Sequence, residues 1–362
     1  MALVATSMSA EIKDGYYRIQ NTETNRYIGS SDNYGKYFGD ANVDVTALKT
    51  FDAADAWSNA STVIYIKNED GGLNLYAQGS QTIDVFNLYL KLYDNGDGTY
   101  KAYCSKGLSS VYLKEGDNNT CTIASDINSE NTNWKIIPIS SSNYFGVVGS
   151  VQLYSDYYAP FYSGFPFTAG SNMTVYTIGS VNEASGTVAL TEATGTIPAG
   201  TPVIIKTKSS QPADNKLTPK DSPIVKDATE SAGVNGVFFC NPTNDEHRNV
   251  VEYDAATMRI LSVKYGKLAF ITSDIKYIPA NSIYLKVSEG APEIFEVNEG
   301  SSEEEVEGDI NGDGEVDGQD FVSLVNMILG KKAKTTNADI NGDGKVTVAD
   351  AQALLEILKT AE

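Results

Sequence analysis

A single histidine, His247, among 362 residues excludes any chemistry that needs two imidazoles. Its setting, Thr243-Asn-Asp-Glu-His-Arg-Asn249, reads as a polar surface loop rather than the surroundings of a catalytic base. Cysteine is almost as scarce. Cys104, Cys121 and Cys240 make an odd set, too small for a disulfide framework in a chain of this length. A Cys104–Cys121 bridge and three buried thiols are the two readings, and the second is preferred. Basic residues are few: 27 Lys and Arg stand against 47 Asp and Glu, a formal net charge of −20. Such a charge repels polyphosphate, so no nucleic-acid partner is expected, and anionic membrane surfaces are disfavoured in the same way. With no run of about 18 apolar residues, no membrane insertion is expected. Ser nucleophile elbows, His-Glu-x-x-His zinc motifs and Gly-rich phosphate loops are all missing. Paired carboxylates for glycoside hydrolysis leave no local signature, so that class of enzyme stays open.

What is present points to strands and turns: 22 Tyr, 31 Gly and abundant Thr, Ser and Asn. The length allows roughly two to four domains. Residues 1–10 are small and apolar before the chain turns polar at Glu11. They are expected to be the remnant of a secretory signal peptide, with Ala10 as the last residue before cleavage, or else an ordinary flexible terminus. Residues 11–139 read as short strands. Gly15–Asn21 and Leu88–Tyr93 alternate apolar and polar side chains, and Asp94-Asn-Gly-Asp-Gly98 supplies a hairpin turn before Thr99–Cys104. Gly15-Tyr-Tyr-Arg-Ile … Arg26-Tyr-Ile-Gly29 is echoed by Gly98-Thr-Tyr-Lys-Ala … Val111-Tyr-Leu-Lys114, with Leu73-Asn-Leu-Tyr-Ala77 as a middle copy. Val63–Lys67 and Trp134–Ile139 stand near the ends of copies. Three copies of about 40 residues, each closed by an aromatic-plus-Ile strand, resemble a ricin-like β-trefoil. Many members of that group bind sugars, so a glycan ligand is implied. The Asp and Gln-x-Trp sugar-binding pattern is not cleanly present in any copy, and no ligand-binding residue is carried over.

Residues 140–298 form a second β-rich stretch, expected to be sandwich-like. Ile197-Pro-Ala-Gly200 and Ile278-Pro-Ala-Asn281 are two similar corners, each leading into an apolar strand. The phrase Thr196-Ile-Pro-Ala-Gly-Thr-Pro-Val-Ile-Ile205 resembles accessory β-domains of secreted Bacteroidetes proteins. The aromatic run Tyr154–Phe167 is read first as core filling and second as a sugar-stacking platform. Trp57 and Trp134 are read as core. Residues 299–308 follow as an acidic linker.

The most informative residues lie at the C-terminal end. Residues 309–320, Asp-Ile-Asn-Gly-Asp-Gly-Glu-Val-Asp-Gly-Gln-Asp, and 339–350, Asp-Ile-Asn-Gly-Asp-Gly-Lys-Val-Thr-Val-Ala-Asp, lie 30 residues apart and share eight identical positions. Both carry the spacing of an EF-type calcium loop, with ligands at positions 1, 3, 5, 7, 9 and 12 and glycine at 6. The first set is Asp309, Asn311, Asp313 and Asp320 by side chain, the Glu315 carbonyl, and Asp317 directly or through water. The second is Asp339, Asn341, Asp343 and Asp350, the Lys345 carbonyl, and Thr347. Gly314 and Gly344 permit the turn. Two bound calcium ions are expected. The first loop, with four carboxylates against three, is expected to bind the tighter. Phe321, Leu324, Val325, Ile328 and Leu329 then follow helical spacing to Gly330, and Ala351, Leu354, Leu355 and Leu358 repeat it.

A paired loop-and-exiting-helix unit with Asp at position 12 resembles a type I dockerin over about 308–360. The resemblance implies a calcium-dependent module that docks onto a cohesin-type domain of another secreted or cell-surface protein. By position, the implied partner contacts are Gly318, Gln319, Val325 and Asn326 in the first copy, and Val348, Ala349, Leu355 and Glu356 in the second. The expectation is therefore a mainly β protein: a β-trefoil-like domain (11–139), a β-sandwich-like domain (140–298), a linker (299–308) and a small α-helical module (309–362). It would be secreted or at the bacterial surface, non-catalytic, docked through its tail, with β-domains that contact carbohydrate or protein. Two other readings stay open: a polysaccharide-degrading enzyme subunit, and a calcium module that braces its own chain.

Overall fold

The computed structural model describes residues 12–30, 42–44, 48–69, 72–77, 81–85, 88–220, 232–237, 251–299, 308–311, 316–332, 338–342 and 344–360. The signal-peptide expectation for 1–10, Cys240, His247 and most of the acidic linker lie outside them. Two units separate at residue 300 and are described in turn.

The first unit begins with thirteen strands: β1 (Gly15–Asn21), β2 (Tyr27–Ser30), β3 (Asn42–Asp44), β4 (Leu48–Phe51), β5 (Ile64–Glu69), β6 (Gly72–Ala77), β7 (Gln81–Val85), β8 (Leu88–Tyr89), β9 (Lys91–Asp94), β10 (Tyr100–Lys106), β11 (Ser109–Glu115), β12 (Cys121–Ala124) and β13 (Trp134–Pro138). A short helix, α1 (Ala53–Ala56), precedes β5. Antiparallel pairing runs β1–β5–β6–β9–β10–β13 and back to β1, so six strands close a barrel. Closure leaves these strands no open edge. Three outer pairs, β2–β4, β7–β8 and β11–β12, hang from it. The three repeat copies read from the sequence begin at β1, β6 and β10. Alternation turns Ile19, Ile64, Ile66, Leu75, Leu92, Ala102 and Trp134 inward, where they pack together. Trp134 is fully buried and its Nε1 donates to the Leu113 carbonyl at 3.2 Å. Cys104 and Cys121 are buried thiols in the same core and form no disulfide.

Residues 145–299 form a ten-stranded and a three-stranded sheet. The three-stranded sheet, Phe145–Gly146, Phe167–Ala169 and Lys216–Pro219, covers one face of strands Asp156–Phe161, Met173–Asn182 and Val203–Thr207. Tyr158, Tyr176 and Ile204 on the alternate positions enter a separate core with Leu261, Phe270 and Phe295. The last strand, Ile294–Glu299, returns parallel to Thr187–Ala193, and Glu299 belongs to this strand. The two repeated corners meet at one place: the Gly200 N–H donates to the Ser163 carbonyl at 2.8 Å, and the Asn281 side chain donates to the Tyr162 carbonyl at 3.0 Å.

Tyr16 of β1, with Ala60 and Val63 from the segment just before β5, shares a core with Phe145, Phe165 and Phe167. Beside it Arg18 is fully buried. Its guanidinium donates to Thr62 Oγ1, to the Ala56 carbonyl and to the carbonyl and side-chain oxygens of Asn143, at 2.9–3.2 Å. It also lies 4.7 Å from the centroid of Trp57. Burial pushes its pKa down to about 10, which leaves it charged at neutral pH. Trp57, read from the sequence as core, is instead half-buried and roofs this cation.

The second unit contains α2 (Gly318–Ile328) and α3 (Val348–Thr360), each preceded by an acidic loop. Ile310, Leu324, Met327, Ala338, Val346, Ala351 and Leu354 make its small core. Leu329, placed on the apolar stripe by spacing, is 61% exposed, and Met327 is the buried residue. The stripe ends there because α2 ends: Gly330 N–H donates to Met327 O at 3.1 Å and Lys331 N–H to Asn326 O at 2.8 Å, with Gly330 at φ 70. This crossed pair of bonds satisfies the last carbonyls and turns the chain away.

Candidate metal centre

Each loop is closed by its position-12 aspartate. Asp320 is fully buried at the first turn of α2, and its carboxylate accepts from Ile310 N–H at 2.8 Å, Asn311 N–H at 2.9 Å and Asp317 N–H at 2.8 Å. Thirty residues on, buried Asp350 repeats the pattern, accepting from Asn341 N–H at 3.2 Å and Thr347 N–H at 2.7 Å. Position 9 caps the helix in both copies: Asp317 accepts from Gln319 N–H at 2.7 Å and Thr347 Oγ1 from Ala349 N–H at 3.2 Å. Asp317 and Asp320 together make a reciprocal capping box. Burial opposes ionisation of Asp350, but bonds from the Thr347, Asn341 and Ile340 backbone outweigh it and hold its carboxyl below the ordinary aspartate value.

Between these anchors, Gly344 at φ 80 turns the second loop and its N–H donates to Asp339 Oδ2 at 2.7 Å. That bond ties position 6 to position 1. Asp309, Asn311 and Asp317 line the described part of the first loop; Asp339, Asn341, Lys345 and Thr347 that of the second. Asp313, Gly314, Glu315 and Asp343 lie outside the described residues. Among the described residues no three acidic, histidine or cysteine side chains converge in ligand geometry. The donor set still discriminates. It is made of hard oxygens, with no sulfur or imidazole, which suits calcium and not zinc. The anchors stand at the ends of the loops, and each places a carboxylate in the first turn of its helix. Bound there, calcium would neutralise carboxylates that otherwise repel one another across the loop.

Inspection of the ligand types missed what the apolar loop residues do. Ile310, at position 2, is 3% exposed, and Val346, at position 8, is 9% exposed; both join the module core. The signal was available, since Ile and Val recur at positions 2 and 8 of both loops. Gly308 is buried against Val316, Leu354 and Ile357, and an added Cβ would come within 2.9 Å of Val316. Of the positions expected to contact a partner, Gly318, Gln319, Ala349 and Glu356 are exposed, Val325 and Asn326 half-buried, Val348 71% and Leu355 41% exposed.

Comparison with known proteins agrees with this geometry. Residues 307–359 match the family described as Dockerin type I domain. The C-terminal segment therefore carries a dockerin type I domain, a kind of module that binds calcium. No curated protein matches the chain. A solved structure described as "Structure and mode of action of a mosquitocidal holotoxin" is similar at 9% identity over 75% of this chain, with a TM-score of 0.22. The chain spans 40% of that structure's length, and a similarity of that size carries no argument.

Proposed function

We propose that the chain is a secreted, non-catalytic subunit that attaches through its dockerin to a cohesin-type partner while its β unit contacts glycan or protein. The observation that carries this is the duplicated anchor: buried Asp320 and Asp350 bind equivalent backbone groups in two loops 30 residues apart. Each loop has its own anchor, which supports two calcium ions. Docking uses the loop-end and helix positions Gly318, Gln319, Val325 and Asn326, and Val348, Ala349, Leu355 and Glu356. At these positions the second copy is the more apolar, because Val348 and Leu355 stand exposed where the first copy has Gly318 and half-buried Val325.

For the β unit, the closed six-stranded barrel with three outer pairs supports a trefoil-like reading, and the packed sheets of 145–299 a sandwich-like one. A cavity of about 450 Å³ in this unit is lined by Ser58, Val148, Pro160, Phe161, Leu261, Asn281 and neighbours without an ionisable side chain. The aromatic run of 154–167 supports core filling, since Tyr158, Phe161, Tyr162, Phe165 and Phe167 are buried.

The full chain immobilised as bait should retain a cohesin domain in calcium and release it in chelator. Equal retention in both conditions would defeat calcium-dependent docking. Turnover of a polysaccharide, lost on changing one carboxylate, would defeat the non-catalytic assignment.

A further inference from the structure

Two tyrosines stand apart from the packing just described. Tyr154 is 80% exposed and Tyr265 is 85% exposed. Each occupies the first position of a two-residue hairpin turn. Leu153 pairs with Asp156 around Tyr154-Ser155, and Lys264 pairs with Lys267 around Tyr265-Gly266. Both tyrosines hold positive φ, 52 and 53. Such turn positions favour Gly or Asn, because a Cβ is strained there. The chain otherwise follows that rule: Asn25, Asn118, Asn119, Asn131 and Asn281 hold positive φ, and Ala232 is the one further non-glycine case among the described residues.

The two strained tips are also neighbours. The Tyr154 hydroxyl donates to the Gly266 carbonyl at 3.1 Å, inside the other turn. A Cβ on Gly266 would lie 3.2 Å from that hydroxyl, a tight contact. Folding gains little from rings this exposed, yet both replace the residue the turn prefers. Strain retained without a packing return points to a ligand.

The surrounding charges narrow its chemistry. Lys267 is paired with Glu296 at 2.8 Å, Asp156 is paired with Lys206 and Lys208, and Lys264 lies 5.4 Å from the Tyr265 ring centroid. The carboxylates beside the tips are thus paired, and the one ammonium for which no carboxylate pairing is seen among the described residues, that of Lys264, lies against the Tyr265 ring; the rest is phenol faces edged by hydroxyls and backbone carbonyls. A pyranose ring offers the complement, an apolar C–H face bordered by hydroxyl groups. A protein partner would need a broad patch of roughly 800 Å² rather than two protruding tips.

We infer that the adjoining hairpin tips bearing Tyr154 and Tyr265 form a stacking site for a neutral, pyranose-based polysaccharide. The inference deepens the glycan-contact part of the proposed function and rests on it. The site lies in the second β region, on the ten-stranded sheet.

The test is affinity electrophoresis of the calcium-loaded full chain in gels containing hydroxyethylcellulose, galactomannan or soluble starch. The wild type should be retarded by at least one. Tyr154→Asn/Tyr265→Asn should bind that polymer about tenfold more weakly. Asn tolerates the left-handed turn, so the same variant should melt no lower than the wild type and up to about 2–4 °C higher per relieved position. Tyr265→Phe keeps the ring and should stay within about twofold of the wild type. A retarded wild type with an equally retarded double variant would overturn the site while leaving glycan contact standing. No retardation of the wild type in any gel, the result if the tips bind protein instead, would overturn both.

Discussion

The two units solve the burial of charge in opposite ways. Residues 12–299 enclose Trp134, Tyr162, Phe145, Phe165, Phe167, Phe270 and Phe295 in large apolar cores, and their most deeply buried cation, Arg18, is satisfied by neutral oxygens and an indole face. The described residues of 308–360 include seven buried apolar residues, none aromatic, around two buried carboxylates satisfied by backbone N–H groups. In the first unit the cores dominate and the charge is a joint within them. In the second, a module of about 50 residues has little core to spend, so anything that joins the ends of its loops carries a large share of its stability.

Chelation sharpens this contrast most. Removing calcium from the full chain should abolish most helical signal from α2 and α3 and their melting transition, with the β unit's transition unmoved, as differential scanning calorimetry with far-UV circular dichroism would read. Helicity unchanged in chelator would erase the difference between the units. Next in size is Asp350→Ala, or Asp320→Ala. Each orphans backbone N–H groups in a buried site and should cost about 3 kcal/mol or more, close to all that such a core supplies. Cohesin retention should vanish with it, and retention at wild-type strength would contradict the anchor role.

Arg18→Met tests the other side. It leaves the Asn143 side-chain oxygen without the guanidinium that donates to it, and takes one of several donors from the Ala56 and Asn143 carbonyls; it should cost about 1–3 kcal/mol, read as a lower melting temperature of the β unit alone. Calcium binding and docking should not change. The smallest effect concerns the loops themselves. Asp317→Thr should weaken calcium binding at the first loop and Thr347→Asp should strengthen it at the second, each by severalfold, because ligand charge differs by one carboxylate. Calorimetric shifts in the same direction for both variants would refute the charge argument.

Legibility in the sequence divided along the same line. The candidate calcium loops were readable because their residues are consecutive and twice repeated, so spacing alone names them. The buried role of Ile310 and Val346 was passed over because attention went to oxygen donors. The barrel was half-readable. The copies begin where the repeats begin, but the closing contact pairs Ile19 with Ile136, over a hundred residues away, and no local period records it. The joint at Arg18 was invisible for the same reason, since Asn143 reaches it from beyond the last barrel strand. In the aromatic run, alternation foretold the burial of Tyr158 and Phe161; Tyr154 escaped because a turn, not a strand, decides where it points.

The account stands on calcium joining the two loops into a docking module. Isothermal titration of calcium into the chelated full chain, followed in parallel by far-UV circular dichroism, tests this most directly. The account predicts two ions bound with a gain of helix, and one ion in Asp320→Ala or Asp350→Ala if the remaining loop still closes. A chain that binds no calcium, or that is fully helical in the tail before any is added, would contradict it.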